Sequence, residues 1–223
     1  MSMPRLGWLG AVGAAVVLLS GCGAVQPGVA AEVGEDTITV DQVDELTRSL
    51  CAVLEDLPED DPNTPPAVSG EQARNNAMQS LILQSIADQM AADYDVEAGP
   101  DFDAQVDRVK LQFGSVDDDL VDAALPAYTS VAYFIDIMRQ VGETTESGLS
   151  PDESLSAGIQ VAQEWEADHG IETNPLFGSF SIGDQEIESE RTDLAFPASQ
   201  SAKDAEEGSD SYAASLPESQ RCG

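Results

Sequence analysis

Residues 30–57 read AAEVGEDTITVDQVDELTRSLCAVLEDL, and a change of period inside this stretch decides the fold class. Ala30-Ala31-Glu32-Val33 and Thr37-Ile38-Thr39-Val40 are short alternating runs around Gly34-Glu35-Asp36, the signature of a small β-hairpin. From Val43 the apolar residues instead recur every three or four positions: Leu46, Leu50, Val53/Leu54 and Leu57. That spacing predicts an amphipathic helix with one buried face. Between the two periods stand Thr39 and, three residues on, Gln42, the spacing of a capping box. A hairpin therefore runs directly into a helix.

Downstream, the same grammar repeats. Pro58 to Pro66 is a Pro-rich acidic loop, after which Ser69 and Gln72 again have capping-box spacing. The second helix runs to about Tyr94 with the stripe Ala73, Ala77, Leu81, Ile82, Ile86, Met90, Tyr94. Gly99-Pro100 breaks it, and Asp101 is placed as the cap of a third helix holding Val106, Val109 and Phe113. Gly114 suits a left-handed helix end, and Ser115 with Asp118 restarts the chain as a fourth helix. Proline inside a helix costs about 3 kcal/mol, so Pro126 is expected to open a fifth, carrying Tyr128, Val131, Phe134, Ile135 and Met138. Ser150-Pro151-Asp152-Glu153 is a strong start signal for a sixth, with Leu155, Ile159, Ala162 and Trp165 on one face and His169 and Gly170 at its end. Ile171 to Ile182 reads as an extended, aromatic strand. Residues 183–223 hold ten acids and few apolar side chains, an expected acidic and largely disordered tail.

Upstream, Arg5 precedes the uncharged run Leu6 to Leu19. Fourteen helical residues span about 21 Å, short of the ~30 Å hydrocarbon core of a bilayer, so the run reads as a signal-peptide core. Leu19-Ser20-Gly21-Cys22 follows and resembles the lipobox of bacterial lipoproteins; an ordinary secretory signal with an incidental cysteine is the alternative. The lipobox reading implies removal of residues 1–21, acylation of Cys22, a tether over 22–29, and a protein held on the extracytoplasmic face of the cell membrane. Export leaves Cys51 and Cys222 as an even pair in an oxidising compartment, either bridged or as two separate thiols.

Composition excludes several functions. The chain of 223 residues has 42 acids against 9 basic residues and a formal charge of −33. Such a surface repels phosphate backbones, which argues against nucleic-acid partners. Its 42% apolar content suffices for a core, so the acidity does not imply global disorder. Lysine occurs only at Lys110 and Lys203, as in a salt-adapted host or an ordinary exported surface. The single histidine, His169, rules out sites built from several histidines and sits where a helix C-terminus favours imidazolium, a structural position. Nucleophile elbows, phosphate loops and CxxC pairs are missing from the sequence. The acid clusters Glu59-Asp60-Asp61 and Asp117-Asp118-Asp119 lack the alternation, glycine and distal glutamate of a calcium loop. The sequence thus predicts a non-enzyme without metal or cofactor.

Ala30 to Val40 followed by a helix resembles the opening of SurA-type and PrsA-type extracytoplasmic chaperones, which begin A-x-V-N-G-x-x-I-T. Gln112-Phe113-Gly114-Ser115, with the aspartates and Leu120 after it, looks like the internal helix junction of that family. Gly170 to Gly178, GIETNPLFG, resembles the V-x-V-N-P-R-Y-G segment closing actinobacterial SurA-like lipoproteins. Val33 and Leu176 depart from the family's Asn and Arg. The match covers residues 30–182 and lacks a parvulin isomerase domain, whose histidines one His cannot supply.

The resemblance implies a mainly α domain of about six helices, with the small N-terminal β-hairpin joined by a C-terminal strand, in the manner of SurA and trigger-factor peptide-binding domains. It further implies a chaperone-like role without isomerase activity, holding apolar segments of unfolded or nascent exported proteins. Phe113, Tyr128, Phe134, Met138, Trp165, Phe177 and Phe180 are the candidate lining of a peptide groove, since aromatics and Met give adaptable apolar contact. Their other reading is core. Two alternatives are a scaffolding envelope lipoprotein with one fixed partner and a ligand-binding lipoprotein.

Overall fold

The computed structural model describes residues 27–58, 66–183, 187–190 and 210–223, the backbone alone over 187–190 and 210–211. The signal segment, Cys22 and the Glu59-Asp60-Asp61 cluster lie outside the described residues. The domain is mainly helical, with a small antiparallel N-terminal strand pair and a C-terminal strand.

Strands β1 (Val29–Val33) and β2 (Asp36–Thr39) form the hairpin, with Val33 opposite Asp36 and Gly34-Glu35 at the turn. Helix α1 (Val40–Asp56) starts at the expected capping box: the Gln42 amide donates to Thr39 Oγ1 at 3.2 Å, and the Thr39 amide donates to Gln42 Oε1 at 2.8 Å. Its expected stripe, Val43, Leu46, Leu50, Val53, Leu54 and Leu57, is buried. After the short strand β3 (Val68–Ser69), helix α2 (Gly70–Tyr94) starts with its Gln72 amide donating to Ser69 Oγ. It ends where Asp95 turns left-handed at φ 53°.

Helix α3 (Pro100–Gln112) has Gly99 as its cap and no side-chain capping bond, which corrects the expected cap at Asp101; that acid lies in the first turn, where it faces the helix dipole. Gly114 does not adopt a left-handed conformation. Helix α4 (Asp118–Thr145) starts from Asp117, whose Oδ1 accepts the Asp119 amide at 3.0 Å, so Ser115 is not its cap.

The larger correction concerns Pro126. The expected fourth and fifth helices are one continuous rod, with the proline inside α4. Local cost argues for a break, but α4 is packed on both sides of the proline. Val121 and Ala124 before it and Phe134, Ile137, Met138 and Val141 after it are all buried. Tertiary burial overrides the local penalty.

Helix α5 (Pro151–His169) opens with a complete box in which the Glu153 carboxylate accepts from both the Ser150 amide (2.9 Å) and its hydroxyl (2.7 Å). Those bonds hold the Glu153 carboxyl below its usual range, the side-chain bond being the larger cause. Gly170, at φ 80°, ends the helix.

The expected continuous strand over Ile171 to Ile182 is divided. Strand β4 (Ile171–Thr173) pairs antiparallel with β1, giving a three-stranded sheet in the order β2-β1-β4. A 3-10 turn, Pro175–Phe177, separates it from β5 (Ser179–Ile182), which pairs with β6 (Ile187–Glu190). The interruption follows from Pro175, which cannot donate to a ladder, and from the Asn174 side chain, which accepts the Leu176 amide at 3.0 Å.

The expected disordered tail also needs correction over its described parts. Strand β6 lies within it, as do helix α6 (Asp210–Ser215), a 3-10 turn (Glu218–Gln220) and β7 (Arg221–Cys222), which pairs with β3. Cys222 and Cys51 form a disulfide with Cα atoms 4.7 Å apart, closing the pairing left open by the sequence. Ala213 and Cys222 are buried, so this end of the chain is part of the domain.

Two glycines set the closest approach in the bundle. A Cβ on Gly142 of α4 would collide with the Ser154 carbonyl of α5, and one on Gly158 of α5 would collide with the Met138 carbonyl of α4. Each helix backbone thus fills the space a side chain would need on the other.

Gly142→Ala and Gly158→Ala should each lower the unfolding free energy by about 2–4 kcal/mol, because the obstruction is backbone and cannot rotate away. Gly70→Ala, whose Cβ would stand 3.4 Å from the Gln220 carbonyl, should stay within about 0.5 kcal/mol of the parent in the same denaturant titration. Cys222→Ser should cost about 2–5 kcal/mol, since the bridge closes a loop spanning 171 positions.

Candidate functional site

The seven side chains expected to line a groove fall into two separate apolar clusters. Phe134, Met138, Trp165, Phe177 and Phe180 belong to the larger, formed by the hairpin, the first half of α1, the middle and end of α2, the second half of α4, α5 and the segment 177–182. Phe113 belongs to the smaller, between α1, α3 and the first half of α4, where Tyr128 packs on it with ring centroids 4.7 Å apart. Six of the seven are buried, Phe113 at 2% exposure and Met138 at 0%; Tyr128 alone is half-buried. This corrects the expected groove: in the described structure these residues are core. Phe113, Tyr128, Phe134, Met138 and Trp165 come from apolar helix stripes and Phe177 and Phe180 from the extended aromatic segment, and these apolar surfaces meet one another.

Individual contacts show how closed the packing is. The Trp165 ring lies against the hairpin turn, where a Cβ on Gly34 would be 2.8 Å from two of its carbons. His169 stacks on the outer side of Trp165 at 4.7 Å, with Nδ1 2.9 Å from the Trp165 carbonyl. Phe177 is covered by the Arg74 guanidinium, 4.9 Å from the ring centroid. Beside Phe177 and Phe180 lies a gap of about 10 Å³ bounded by Asn75, Met78, Gln79, Ile82 and Thr173, room for one water at most. A shallow depression of about 340 Å³ near the start of α5 is lined by Glu146, Leu149, Asp152, Glu153, Ser156, Ala157 and Gln160. Neither is a channel for an extended polypeptide.

Polar groups inside the domain serve to join elements. Asp136, 6% exposed among the apolar residues of α4, accepts the Gly99 amide at 2.7 Å and the Gln140 side chain at 3.1 Å, which ties the start of α3 to α4. Gln89 of α2 grips the hairpin turn from both sides, donating to the Val33 carbonyl at 2.9 Å and accepting the Glu35 amide at 3.0 Å. Ser85 adds a hydrogen bond to the Asp36 carboxylate. Sequence reading missed these residues, although a lone aspartate between Ile135 and Ile137 is a visible signal for Asp136.

Two hydroxyls of interest do not form a reactive pair. Ser154 Oγ is fully buried at the glycine crossing with no hydrogen-bond partner, and Tyr128 Oη is likewise unpartnered. Burial pushes the Tyr128 phenol up to about 12. Tyr133 donates to Asp88 at 2.7 Å, and burial, with that carboxylate, raises its pKa further. Among the described residues no group of three His, Cys, Asp or Glu side chains converges as a metal-ligand set. Compared with known proteins, the chain matches no family model, no curated protein sequence and no solved structure.

Outside the core, three large apolar side chains are exposed among the described residues: Leu111 at 80%, Leu176 at 74% and Val131 at 52%. They sit on different elements, the end of α3, the 3-10 turn after β4 and the middle of α4.

Phe113→Ala and Phe134→Ala should each lower stability by about 3–5 kcal/mol, the cost of emptying a sealed core site. Tyr128→Phe should raise it by about 1 kcal/mol by removing an unpaired buried hydroxyl. Denaturant midpoints check all three, and near-neutral alanine variants would show that these rings face solvent.

Proposed function

We propose that this chain is an exported lipoprotein, cleaved before Cys22 and acylated there, whose folded domain serves as a non-catalytic scaffold for one fixed partner at the extracytoplasmic membrane face. The observation that carries the scaffold reading is the closure of the core. Six of the seven aromatic and methionine side chains suited to soft, unselective contact are buried. What the described domain offers to other molecules is a mostly polar exterior with three isolated large apolar side chains. Rigid, polar surfaces favour selective recognition, since their hydrogen bonds and charges demand a matching partner. In a chain with a formal charge of −33, the domain favours neutral or cationic partners and repels polyanions.

One observation favours a second reading, the SurA-like holding of apolar client segments. Helix α3 packs chiefly on α4 and buries a single residue, Val109. Lifting α3 would uncover Phe113 and Tyr128 and part the Phe102–Tyr133 ring contact. A groove of this kind would open only at the expense of the smaller core cluster and of the Gly99–Asp136 bond.

The two readings differ in solution. As a scaffold, the purified domain should leave the aggregation of several unrelated unfolded proteins unchanged at near-stoichiometric ratios, and crosslinking of the acylated protein on its own membranes should enrich one envelope protein. Suppression of aggregation across unrelated clients would replace the scaffold reading by the chaperone one. Cys22→Ser should release the protein from the membrane fraction; retention of that variant would remove the lipid anchor from the proposal.

A further inference from the structure

The lipid anchor of the preceding section, on which this inference rests, restricts how the domain can sit. Cys22 stands seven residues before Val29, the first residue of β1. Fully extended, seven residues span about 25 Å, so the start of β1 stays within that distance of the acylated cysteine. Whatever surrounds the start of β1 is the end of the domain that the tether holds within reach of the bilayer.

The structure identifies that end. The Gly28 carbonyl accepts the Val40 amide at 2.9 Å, which places the start of α1 beside it. The Val29 carbonyl accepts from Asn174 Nδ2 at 3.1 Å, and the Ala30 carbonyl accepts the Asn174 amide at 2.8 Å. Asn174 in turn opens the 3-10 turn Pro175–Phe177. The exposed Pro175-Leu176 tip therefore stands two residues from a side chain bonded to the point where the chain enters the fold.

A single exposed leucine is ordinary on a soluble surface. This one is distinguished by where it stands and how it is held. The Leu176 amide donates to Asn174 Oδ1 at 3.0 Å, Thr173 Oγ1 donates to the Gly178 carbonyl, and Phe177 beneath it is buried. The tip is a fixed projection. A cation also stands beside it: Arg74, over the Phe177 ring, pairs with Asp44 at 2.9 Å. In a chain with 42 acids, a tip next to an arginine approaches a zwitterionic headgroup layer at less cost than one flanked by acids alone.

We infer that Pro175-Leu176 is a membrane-contacting tip: Leu176 inserts into the outer region of the bilayer next to the acylated Cys22 and fixes the orientation of the domain. The acyl chains supply the affinity and hold the tip at high effective concentration over the lipid surface, so a contact too weak to bind alone suffices to orient.

The test uses acylated protein, with the acyl mass on Cys22 confirmed, bound to phosphatidylcholine vesicles whose acyl chains are brominated. Leu176→Trp is compared with Leu111→Trp, an equally exposed position on α3, after subtracting the parent signal of buried Trp165. The inference expects blue-shifted emission and bromine quenching for Leu176→Trp, and water-like, unquenched emission for Leu111→Trp. Unquenched Leu176→Trp in protein that still floats with the vesicles overturns the tip and leaves the anchor standing. Equal quenching at both positions overturns a fixed orientation. A blue shift of Leu176→Trp that depends on protein concentration without bromine quenching assigns the tip to a second copy of the chain, and overturns lipid contact. Lack of an acyl mass on Cys22 overturns the anchor and this orientation with it.

Discussion

Helices α4 and α5 touch backbone to backbone at Gly142 and Gly158, and the arrangement of the larger core follows from that contact. Neither position tolerates a Cβ, so the two helices approach more closely than side-chain packing would allow. Helix α4 also packs on α1, α2 and α3, which makes it the rod against which the other long helices are placed. Its continuity through Pro126 belongs to the same constraint. A break there would separate the half that carries the smaller cluster from the half that carries the glycine crossing.

The small sheet is held onto this frame by side chains from two helices. Gln89 satisfies donors and acceptors of the hairpin turn, and Trp165 occupies the space that only a glycine at position 34, with φ 54°, leaves open. The third strand, β4, leaves the end of α5 directly and pairs with β1, so both ends of residues 29–173 meet in one sheet. At the opposite side of α1 the Cys51–Cys222 bridge does the same for the end of the chain. The domain is closed twice, once by a ladder and once by a covalent bond.

Closure bears directly on function. Apolar side chains can serve either to seal a fold or to greet another polypeptide, and here six of the seven candidates serve the first use. The proposal of a scaffold, rather than a holder of unfolded chains, rests on that allocation together with a surface dominated by carboxylates. Leu176 is the instructive exception, because it is exposed on a turn that hydrogen bonds hold rigid beside the entry point of the chain.

Much of the secondary structure was legible from local chemistry. Thr39, Ser69 and Ser150 marked helix starts, Gly170 marked an end, and the apolar stripe of α1 was recovered residue for residue. These signals are local: a cap or a period of three to four acts within one turn of chain. What the sequence could not decide was anything that depends on a distant partner. Pro126 stays helical because both flanks are buried elsewhere, and β7 is ordered because Cys222 reaches an α1 cysteine far up the chain. The candidate binding residues are core because facing helices cover them. A stripe of apolar residues specifies that a face must leave water, while only the assembled packing determines whether its own domain or another molecule supplies the cover.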